Sequence, residues 1–312
     1  MDTALLDYEL PEELIAQRPR ARRDDSRLLV YRCQTGEIEH RVFAELPDLL
    51  SGELVVVNDT RVLRARLELR RATGGRVEVL LIEEREDGLW EALARPSRRL
   101  QAGQRLGPVE LVQSLGDGRW LLRVVGSVEG ELPLPPYIHE RLSDPGRYQT
   151  VYACEPGAAA APTAGLHFTS DLLAELDHVA ITLHVGLDTF RPLTGDRLEE
   201  HVLHGERYRV TPQAWERIAG AERVLAVGTT TVRTLETVAR TGELCGRTDL
   251  FVMPGLEFQR VDALLTNFHL PRTTLLALVM AFAGVEETRE IYRIAIAERY
   301  RFYSFGDAML VL

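Results

Sequence analysis

The sequence of 312 residues predicts an α/β domain that is interrupted by a small antiparallel β-barrel. Segments at both ends of the chain alternate buried strands with helices, which is typical of an α/β domain. The segment between them has short strands, glycine turns and no helical period, which is typical of a small barrel. The length is also greater than one core usually needs. We therefore predict a discontinuous α/β domain over residues 1–60 and 135–312, and a barrel domain over residues 61–134.

The first sixty residues predict a helical turn, a hairpin and a buried strand. Pro11 begins the helical run PEELIAQ, at a position where the missing N–H of proline costs little. The segments RLLVYR and EIEHRV flank the turn QTG and predict a β-hairpin. ELVVVN, which ends at Asn58, has the continuous apolar character of a strand that is buried on both faces. This strand assigns the first sixty residues to the α/β domain.

A change of pattern at Arg61 marks the start of the predicted barrel. Over residues 63–70, apolar and charged side chains alternate, as in a strand with one exposed face. The turn sequences TGG, EDG and GDG then separate the predicted strands VEVLLI, LWEALA, VELVQSL and RWLLRVV. PLPPY at residues 133–137 ends the barrel, because paired prolines cannot continue a strand.

Strands and helices alternate through the rest of the chain. The predicted strands are VAITLHV, VLAVG, DLFVM and VDALLT. The predicted helices are SDLLAELD, TPQAWERIAG, TVRTLETVAR, TTLLALVMAFAG and TREIYRIAIAERY. In the second of these helices, Thr211 supplies an N-cap and Pro212 a favourable first residue.

The composition excludes several kinds of chemistry. All 37 basic residues are arginine, because the chain contains no lysine. A Schiff-base lysine, a P-loop lysine and pyridoxal phosphate chemistry are therefore excluded. Cys33, Cys154 and Cys245 lie far apart and are odd in number, which argues against a disulfide framework and a thiolate metal cluster.

The sequence carries no targeting signal that we can identify. Its first residues, MDTALLDYELPEEL, are acidic and lack the positive and apolar regions of a signal peptide. The longest apolar run, over residues 275–283, is about half of the roughly 20 residues that a membrane span requires. We expect a cytoplasmic protein, and a monomer.

The net charge of −10 is unevenly distributed along the chain. Residues 60–107 hold 11 arginines and 7 acidic residues, a net charge of +4, so that the remaining residues carry −14. A second cluster of arginines lies in the N-terminal loop. A basic stripe is more often a solvated face than a nucleic-acid footprint, so both interpretations stay open at this point.

The segment PGAAAAPTAGLHF, residues 156–168, is the least ordinary in the chain. Glycine and alanine leave the backbone open to close approach, and proline fixes its direction, so the segment can surround a ligand with main-chain groups. A buried crossover loop is the alternative. His167, near the end of the segment, is one of three histidines with small or apolar neighbours; the others are His184 in ITLHVG and His269 in LLTNFHLP.

Further polar loops follow predicted strands. GTT, residues 228–230, precedes a helix, where ligands meet the helix N-terminus, although a simple N-cap is the alternative. HVGLDTF and LTNFHLP end two other strands, so we expect these loops at one edge of the sheet. NDTR, residues 58–61, joins the two predicted domains, and clefts between domains are favoured ligand sites; a capped turn is the commoner role for these residues.

Two patterns bear on metals and cofactors. His201 and His204 have the spacing of a metal pair on a helix, but no acidic residue is patterned as a third ligand. No G-x-G-x-x-G motif follows a strand, so a Rossmann-type cofactor site is not indicated. We assign no metal ligand and no bound cofactor.

Eight segments together resemble the S-adenosylmethionine:tRNA ribosyltransferase-isomerases of queuosine biosynthesis, and they cover nearly the whole chain. They are LIAQRP with DSRLL, VVNDTRVLRARL, PPYI, YQTVYA with PGAAAAPTAGLHFT, LHVGLDTFRPL, AVGTTTVRTLE, LLTNFHLPRTTLL and YRFYSFGDAM. One such segment is weak evidence, whereas all of them in the family's order are specific.

The resemblance implies a fold and an activity. The family's fold is an α/β domain interrupted by a small β-barrel. Its members transfer and isomerise the ribosyl part of S-adenosylmethionine onto the 7-aminomethyl-7-deazaguanine wobble base of tRNA, giving epoxyqueuosine-tRNA with release of adenine and methionine. S-adenosylmethionine is thus a consumed substrate, the anticodon stem-loop of tRNA is the partner, and no metal or cofactor is implied.

The sequence departs from the family pattern at a few positions. Asp188 stands where a glycine usually follows HVGx, and Arg64 replaces a proline after NDTRV. Ala159 replaces a valine, and Gly205 stands where a serine is usual. Asp188 matters most, because it adds a charge next to Thr189 in a predicted substrate loop.

The implied chemistry assigns roles to residues. Proton transfer near neutral pH suits histidine, so His167, His184 and His269 are predicted acid–base groups, with Asp59 orienting one of them or the attacking amine. The sequence does not say which histidine is acid or base, and each could be a core residue. Predicted substrate-binding residues are Asn58, Thr60, Arg61, Tyr137, Thr163, Gly165, Gly186, Thr189, Phe190, Gly228, Thr229, Thr230, Arg233, Thr266 and Asn267.

The arginines of the two basic clusters are predicted to contact the phosphates of the anticodon arm. They are Arg18, Arg20, Arg22, Arg23, Arg27, Arg64, Arg66, Arg98 and Arg99. Two other classes of function stay open from the sequence. One is a non-catalytic RNA-binding protein with a barrel like that of translation factors, and the other is a metal-dependent hydrolase.

Overall fold

A large mixed sheet and a small barrel organise the chain. The structure is a computed structural model and describes residues 2–85, 87–128, 130–186, 193, 195, 197–201, 203 and 205–312. In chain order the strands of these residues are β1 Arg27–Arg32, β2 Glu37–Val42, β3 Leu54–Asn58, β4 Thr60–Val62, β5 Arg66–Arg70, β6 Arg76–Glu84, β7 Trp90–Arg95, β8 Arg105–Leu106, β9 Val109–Gly116, β10 Arg119–Val124, β11 Glu155–Ala158, β12 His178–Leu183, β13 Glu206–Arg209, β14 Val224–Val227, β15 Cys245–Thr248, β16 Ala263–Asn267 and β17 Ala308–Val311. The α-helices are α1 Leu46–Leu49, α2 Ser170–Ala174, α3 Pro212–Gly220, α4 Thr229–Thr241, α5 Thr274–Ala283 and α6 Val285–Ala297.

The large sheet places the polar loops along one edge. Its nine strands lie in the order β15, β13, β12, β3, β14, β16, β17, β1 and β2. The four central strands β12, β3, β14 and β16 are parallel to one another. Because the carboxyl ends of parallel strands meet at one edge, the loops after these strands gather there, as the sequence predicts.

Both faces of this sheet are covered, which explains why its central strands are apolar throughout. Along β3, Leu54 and Val56 pack in the core beneath α3–α6, while Val55 and Val57 pack in a second core on the opposite face. Every residue of β3 is buried. Each fully buried aliphatic side chain contributes roughly 1.5–3 kcal/mol, so the sheet rigidly fixes the loops that follow it.

The inserted barrel has its own core. Six antiparallel strands in the order β5, β6, β7, β10, β9 and β8 curl into a nearly closed barrel. Alternating residues such as Leu67, Val79 and Leu111 fill its interior. The predicted fold class, an α/β domain with an inserted small antiparallel barrel, is therefore confirmed. The predicted domain boundaries stay a prediction.

Several predicted elements are confirmed and others differ. The N-terminal hairpin, strand β3 and the capped start of α3 are as predicted: the Thr211 hydroxyl accepts a hydrogen bond from the Ala214 amide. The predicted helix PEELIAQ is only the 3-10 turn Glu12–Leu14. The predicted strand over residues 63–70 begins only at Arg66 in β5; the Leu63 amide instead donates to the Ala158 carbonyl, beside the pairing of β4 with β11.

The segment DLFVM, residues 249–253, is not a strand, so this prediction is wrong. The strand is β15, which ends at Thr248, directly before that segment. The Arg233 side chain explains this, because it donates hydrogen bonds to the carbonyl oxygens of Thr248 and Leu250. The Arg233 guanidinium thus donates to carbonyls that a neighbouring strand would otherwise pair with. Sequence reasoning also missed β13 and the last strand, β17, which joins β16 to β1.

None of the described helices has the length and apolar character that a membrane-spanning helix requires.

Candidate functional site

A cleft between the barrel and the large sheet is the main concave feature of the described surface. It consists of a cavity of about 280 Å³ and an adjoining groove of about 900 Å³. Both parts are lined by five shared residues, namely Glu83, Glu91, His184, Arg207 and Arg247. The barrel supplies the two glutamates, and the strands β12, β13 and β15 or the loops beside them supply the rest. Clefts of this kind between domains are favoured ligand sites.

His184 is the predicted histidine that lines this cleft. It follows β12, and its Nδ1 lies 2.9 Å from the hydroxyl of Thr60. Gly157 makes room for the ring, since a Cβ at that position would lie 2.6 Å from the ring carbon Cε1. Burial, and next the positive charge of Arg207, lower the pKa of His184. The ring is therefore neutral at pH 7 and can accept a proton.

His167 is buried behind the sheet edge. Its Nδ1 lies 2.9 Å from the hydroxyl of Ser26, and its Nε2 accepts a hydrogen bond of 3.1 Å from the side-chain amide of Asn267. The ring also packs against Phe43, with centroids 5.0 Å apart. Burial lowers its pKa to about 4. With both ring nitrogens occupied, His167 positions Asn267.

His269 lines a second, much smaller cavity of about 30 Å³. Its Nε2 lies 2.8 Å from the hydroxyl of Thr266, and its backbone amide donates to the hydroxyl of Tyr292 at 2.9 Å. Burial lowers its pKa to about 3. The structure thus places His184 in one cavity and His269 in another. Leu275 lines both cavities, so they are neighbours.

The two buried histidines make folding sensitive to acid. Both have a folded-state pKa below the value of about 6.5 expected for an unfolded chain, so they stabilise the fold above pH 6.5 and this contribution is lost as the pH falls. Between pH 7 and pH 5 we expect a loss of about 2 kcal/mol for each ring in the free energy of unfolding. Urea unfolding at the two pH values measures it. The variant His269→Gln should lose about half of this dependence, and an unchanged dependence would contradict the assignment.

The side chains of Asn58, which ends β3, and Asp59, which follows it, form hydrogen bonds to neighbouring parts of the fold. The Asp59 carboxylate accepts hydrogen bonds from Thr182 at 2.7 Å and from the Cys154 thiol at 3.4 Å, rather than from a histidine. Burial raises its pKa. The Asn58 side chain bonds to both backbone groups of Leu183, to the Thr60 amide and to Thr230. Asn58 therefore ties together β3, β12 and α4.

The alanine-rich segment lies against two of the predicted loops. Its first part, β11, pairs with β4, and the Ala159 amide donates to the Val185 carbonyl at 2.9 Å. Further along, Ala164 lies 3.6 Å from the position of a Cβ on Gly228. Gly228 has a φ of +87° and opens helix α4, where Thr229 and Thr230 are buried. The segment thus contacts the HVG and GTT loops, two of the loops expected at this edge, and also pairs with β4, which begins within NDTR.

A buried ion pair holds the loop after β12. Arg233 forms a salt bridge with Glu206, and a Glu206 oxygen accepts a hydrogen bond from the Gly186 amide at 2.8 Å. Arg233, a predicted substrate-binding residue, lines the cleft and is held there by this network. Glu206 was missed in the sequence, because it lies in a strand that has no motif.

Several other predicted substrate-binding residues do not lie in the cleft. Tyr137, Thr163 and Asn267 line the small cavity. Gly165 lies beneath the hydroxyl of Tyr152, which leaves no space for a Cβ. Thr189 and Phe190, together with Asp188 and His204, lie outside the described residues. The first three of these follow Gly186, which lines the cleft, in the sequence.

The predicted RNA-binding arginines differ in how they are engaged. Arg20, Arg23 and Arg27 are tied to the fold, by Asp307, by the carbonyl of Leu166 and by the ring of Tyr300 respectively. Others carry ion pairs on the surface: Arg18 with Glu140, Arg22 with Asp24 and Arg66 with Glu78. Of the predicted RNA-binding arginines, Arg64, Arg98 and Arg99 are exposed beside or within the barrel, as is Arg61, a predicted substrate-binding residue.

Sequence reasoning missed the charged residues that the barrel brings to the cleft. Glu83 forms ion pairs of 2.7 Å with Arg207 and with Arg247, which connect the barrel to the large sheet. Glu91 pairs with Arg119. These residues lie on strands with ordinary alternation, so the available signal was only the expectation of a cleft between domains.

The fold and the cleft define a class of protein: an α/β domain with an inserted barrel, in which the cleft between the two contains a neutral histidine among charged side chains. The family described as "Queuosine biosynthesis protein" matches residues 3–311. The chain belongs to this family.

Similar proteins agree with this placement. The S-adenosylmethionine:tRNA ribosyltransferase-isomerase of Rubrobacter xylanophilus is 54% identical over 100% of this chain and 98% of its own length. The protein of the same name from Desulfitobacterium hafniense is 51% identical, covering 98% of each chain. A crystal structure of S-adenosylmethionine tRNA ribosyltransferase from Thermotoga maritima is 37% identical over 99% of this chain and 100% of that chain, with a TM-score of 0.59.

Proposed function

We propose that this chain is an S-adenosylmethionine:tRNA ribosyltransferase-isomerase. It transfers and isomerises the ribosyl part of S-adenosylmethionine onto the 7-aminomethyl-7-deazaguanine wobble base of tRNA, giving epoxyqueuosine-tRNA and releasing adenine and methionine. The observation that carries this proposal is the full-length similarity to relatives of that name, at 54% and 51% identity. The arrangement of the cleft supports it.

His184 is the group we propose as the proton acceptor. The sulfonium of the donor acidifies the neighbouring ribose carbon and gives a neutral thioether as leaving group, so the protein has to position the reactants and accept a proton. His184 is neutral at pH 7, lies in the cleft, and is held by Thr60 through Nδ1, which leaves Nε2 for the substrate. His269 lies in the adjoining small cavity, and His167 acts through Asn267.

The reaction itself tests the proposal. A precursor-bearing anticodon stem-loop is incubated with the protein and S-adenosylmethionine, and mass spectrometry follows the RNA and free adenine. We expect a ribosyl adduct on the RNA and one adenine for each adduct. If neither the ribosyl adduct nor free adenine formed, the proposal that this chain is such an enzyme would be wrong. We also propose that no metal or cofactor is needed, so the same yield is expected in the presence of a chelator, and its loss would favour a metal-dependent reaction.

The anticodon arm is proposed to bind beside the barrel. Arg61 and Arg64 are exposed and line a groove of about 430 Å³ at the point where the chain enters the barrel. Because phosphate contacts release counterions, Arg64→Ala should weaken stem-loop binding and reduce its salt dependence by about one phosphate contact. Fluorescence anisotropy at several salt concentrations measures both effects. Arg293→Ala, an exposed arginine on α6, is the control, and equal effects of the two variants would contradict this placement.

We propose a monomer as the active unit. Since tRNA is the proposed partner, we also propose that the protein acts in the cytoplasm.

A further inference from the structure

Two residues that line the small cavity each carry a buried polar side-chain atom that has no partner among the described residues. These atoms are Oδ1 of Asn267 and the hydroxyl of Tyr303. The residues are 2% and 5% exposed, and both line the cavity together with Tyr137, Thr163 and His269. A buried polar atom without a partner costs free energy, so such atoms call for an explanation.

The orientation of the Asn267 amide is determined by its surroundings. Its nitrogen faces three acceptors, which are Nε2 of His167 and the carbonyl oxygens of Tyr303 and Asp307. If the amide were turned over, its oxygen would face two carbonyl oxygens. The side-chain oxygen is therefore an acceptor that the protein leaves unused.

Tyr303 is held in a conformation that costs energy. Its φ is +72°, which is rare for a residue with a large side chain. Its amide donates to the Phe268 carbonyl at 3.0 Å, and its carbonyl accepts from Asn267 and from the Gly306 amide. Asp307, which is fully buried, closes the same turn by accepting from the Arg301 amide at 2.8 Å. The surrounding structure thus imposes the position of the Tyr303 ring.

The neighbouring tyrosine behaves differently. Tyr137 packs against Tyr303 with ring centroids 4.4 Å apart, and its hydroxyl lies 2.6 Å from that of Ser304. The hydroxyl of Tyr137 is thus engaged, while that of Tyr303 is not. A strained residue with an unused hydroxyl, which lines the same cavity as a residue with an unused amide oxygen, is typical of a preorganised ligand contact.

We propose that Asn267 and Tyr303 form the recognition edge of a base-binding subsite, which takes the edge of an amino-substituted, purine-like ring. The amide oxygen accepts from the amino group, and the hydroxyl bonds to a neighbouring ring nitrogen or oxygen. This proposal rests on the proposed function, whose two substrates each carry such a ring: adenine in the donor and deazaguanine in the RNA. A cavity of about 30 Å³ holds one or two water molecules, so only the edge of the ring enters it. The rest of the ligand extends past Leu275 toward the cleft.

The test is direct binding of the free bases, without RNA or turnover. Isothermal titration with adenine and, separately, with 7-aminomethyl-7-deazaguanine is carried out on the full chain and on Tyr303→Phe. We expect one of the two bases to bind roughly 5- to 10-fold more weakly to the variant, the effect of one lost hydrogen bond. The base that responds identifies the substrate. Tyr148→Phe, which removes a fully buried hydroxyl outside the cavity, should leave binding unchanged.

A second measurement separates recognition from folding. Because the Tyr303 hydroxyl has no partner, the variant Tyr303→Phe should be at least as resistant to urea as the parent chain. Equal affinity of parent and variant for both bases, or no binding of either base to the parent, overturns the subsite. If base binding depends on Tyr303 but no ribosyl adduct forms on the RNA, the subsite stands and the proposed function fails.

Discussion

Replacement of His184 by alanine should lower the rate of ribosyl transfer by about 10²- to 10⁴-fold, the usual contribution of a positioned general base. His184 lines the cleft, is neutral at pH 7 and is oriented by Thr60 at 2.9 Å. Single-turnover release of adenine measures the rate, and titration with S-adenosylmethionine shows whether binding is retained.

The matched control is His178→Ala, which removes a histidine from the other end of the same strand, β12. Its ring bonds to the carbonyl of Leu176 and is not part of the cleft. We expect the control to keep nearly the full rate. A rate for His184→Ala within a few-fold of the parent would rule out His184 as the base and direct attention to His269.

Replacement of Arg233 by methionine should destabilise the fold by about 3–5 kcal/mol, because it removes one side of a buried salt bridge with the Glu206 carboxylate. The same change removes donors from the carbonyls of Thr248 and Leu250. Urea unfolding measures the loss. We also expect weaker binding of S-adenosylmethionine, because Glu206 holds the amide of Gly186.

Two further variants test the cause of this loss. The double variant Arg233→Met with Glu206→Gln should recover part of the stability, since position 206 then carries no buried charge and the glutamine oxygen can still accept from Gly186. An exposed ion pair, Arg293 with Glu290, supplies the comparison; Arg293→Met should cost less than about 1 kcal/mol. Similar losses in Arg233→Met and Arg293→Met would be inconsistent with a buried pair.

Much of the fold was predictable, because the evidence for it is local. The apolar run that ends at Asn58 predicts a strand buried on both faces, and Thr211 with Pro212 predicts the start of a helix. The prediction of secondary structure failed where a side chain from a distant part of the sequence occupies the backbone hydrogen-bonding groups. Arg233 takes up the carbonyls of residues 248 and 250, so the segment DLFVM does not become a strand.

The three predicted histidines show the same limit at the site. Their apolar neighbours are equally compatible with a core and with a cleft. The described structure separates them: His184 lies in the cleft, His269 in the small cavity and His167 behind Asn267. Among the predicted RNA contacts, Arg20 has a structural partner in Asp307, which lies 287 positions along the chain. No local pattern reveals such a partner.

The sequence by itself determined the fold class, the family and the loops that meet at the sheet edge. Strand periodicity, turn residues and motifs are properties of short stretches of sequence, so they can be recognised without the tertiary structure. Only the tertiary structure decided which charged side chains line the cleft and which form hydrogen bonds or ion pairs that hold the fold together. Glu83 meets Arg207 and Arg247 only after the barrel has folded against the large sheet. Tertiary contacts likewise decide which buried hydroxyl stays without a partner, as that of Tyr303 does among the described residues. Burial and partners depend on contacts between distant residues, and those contacts decide protonation and access.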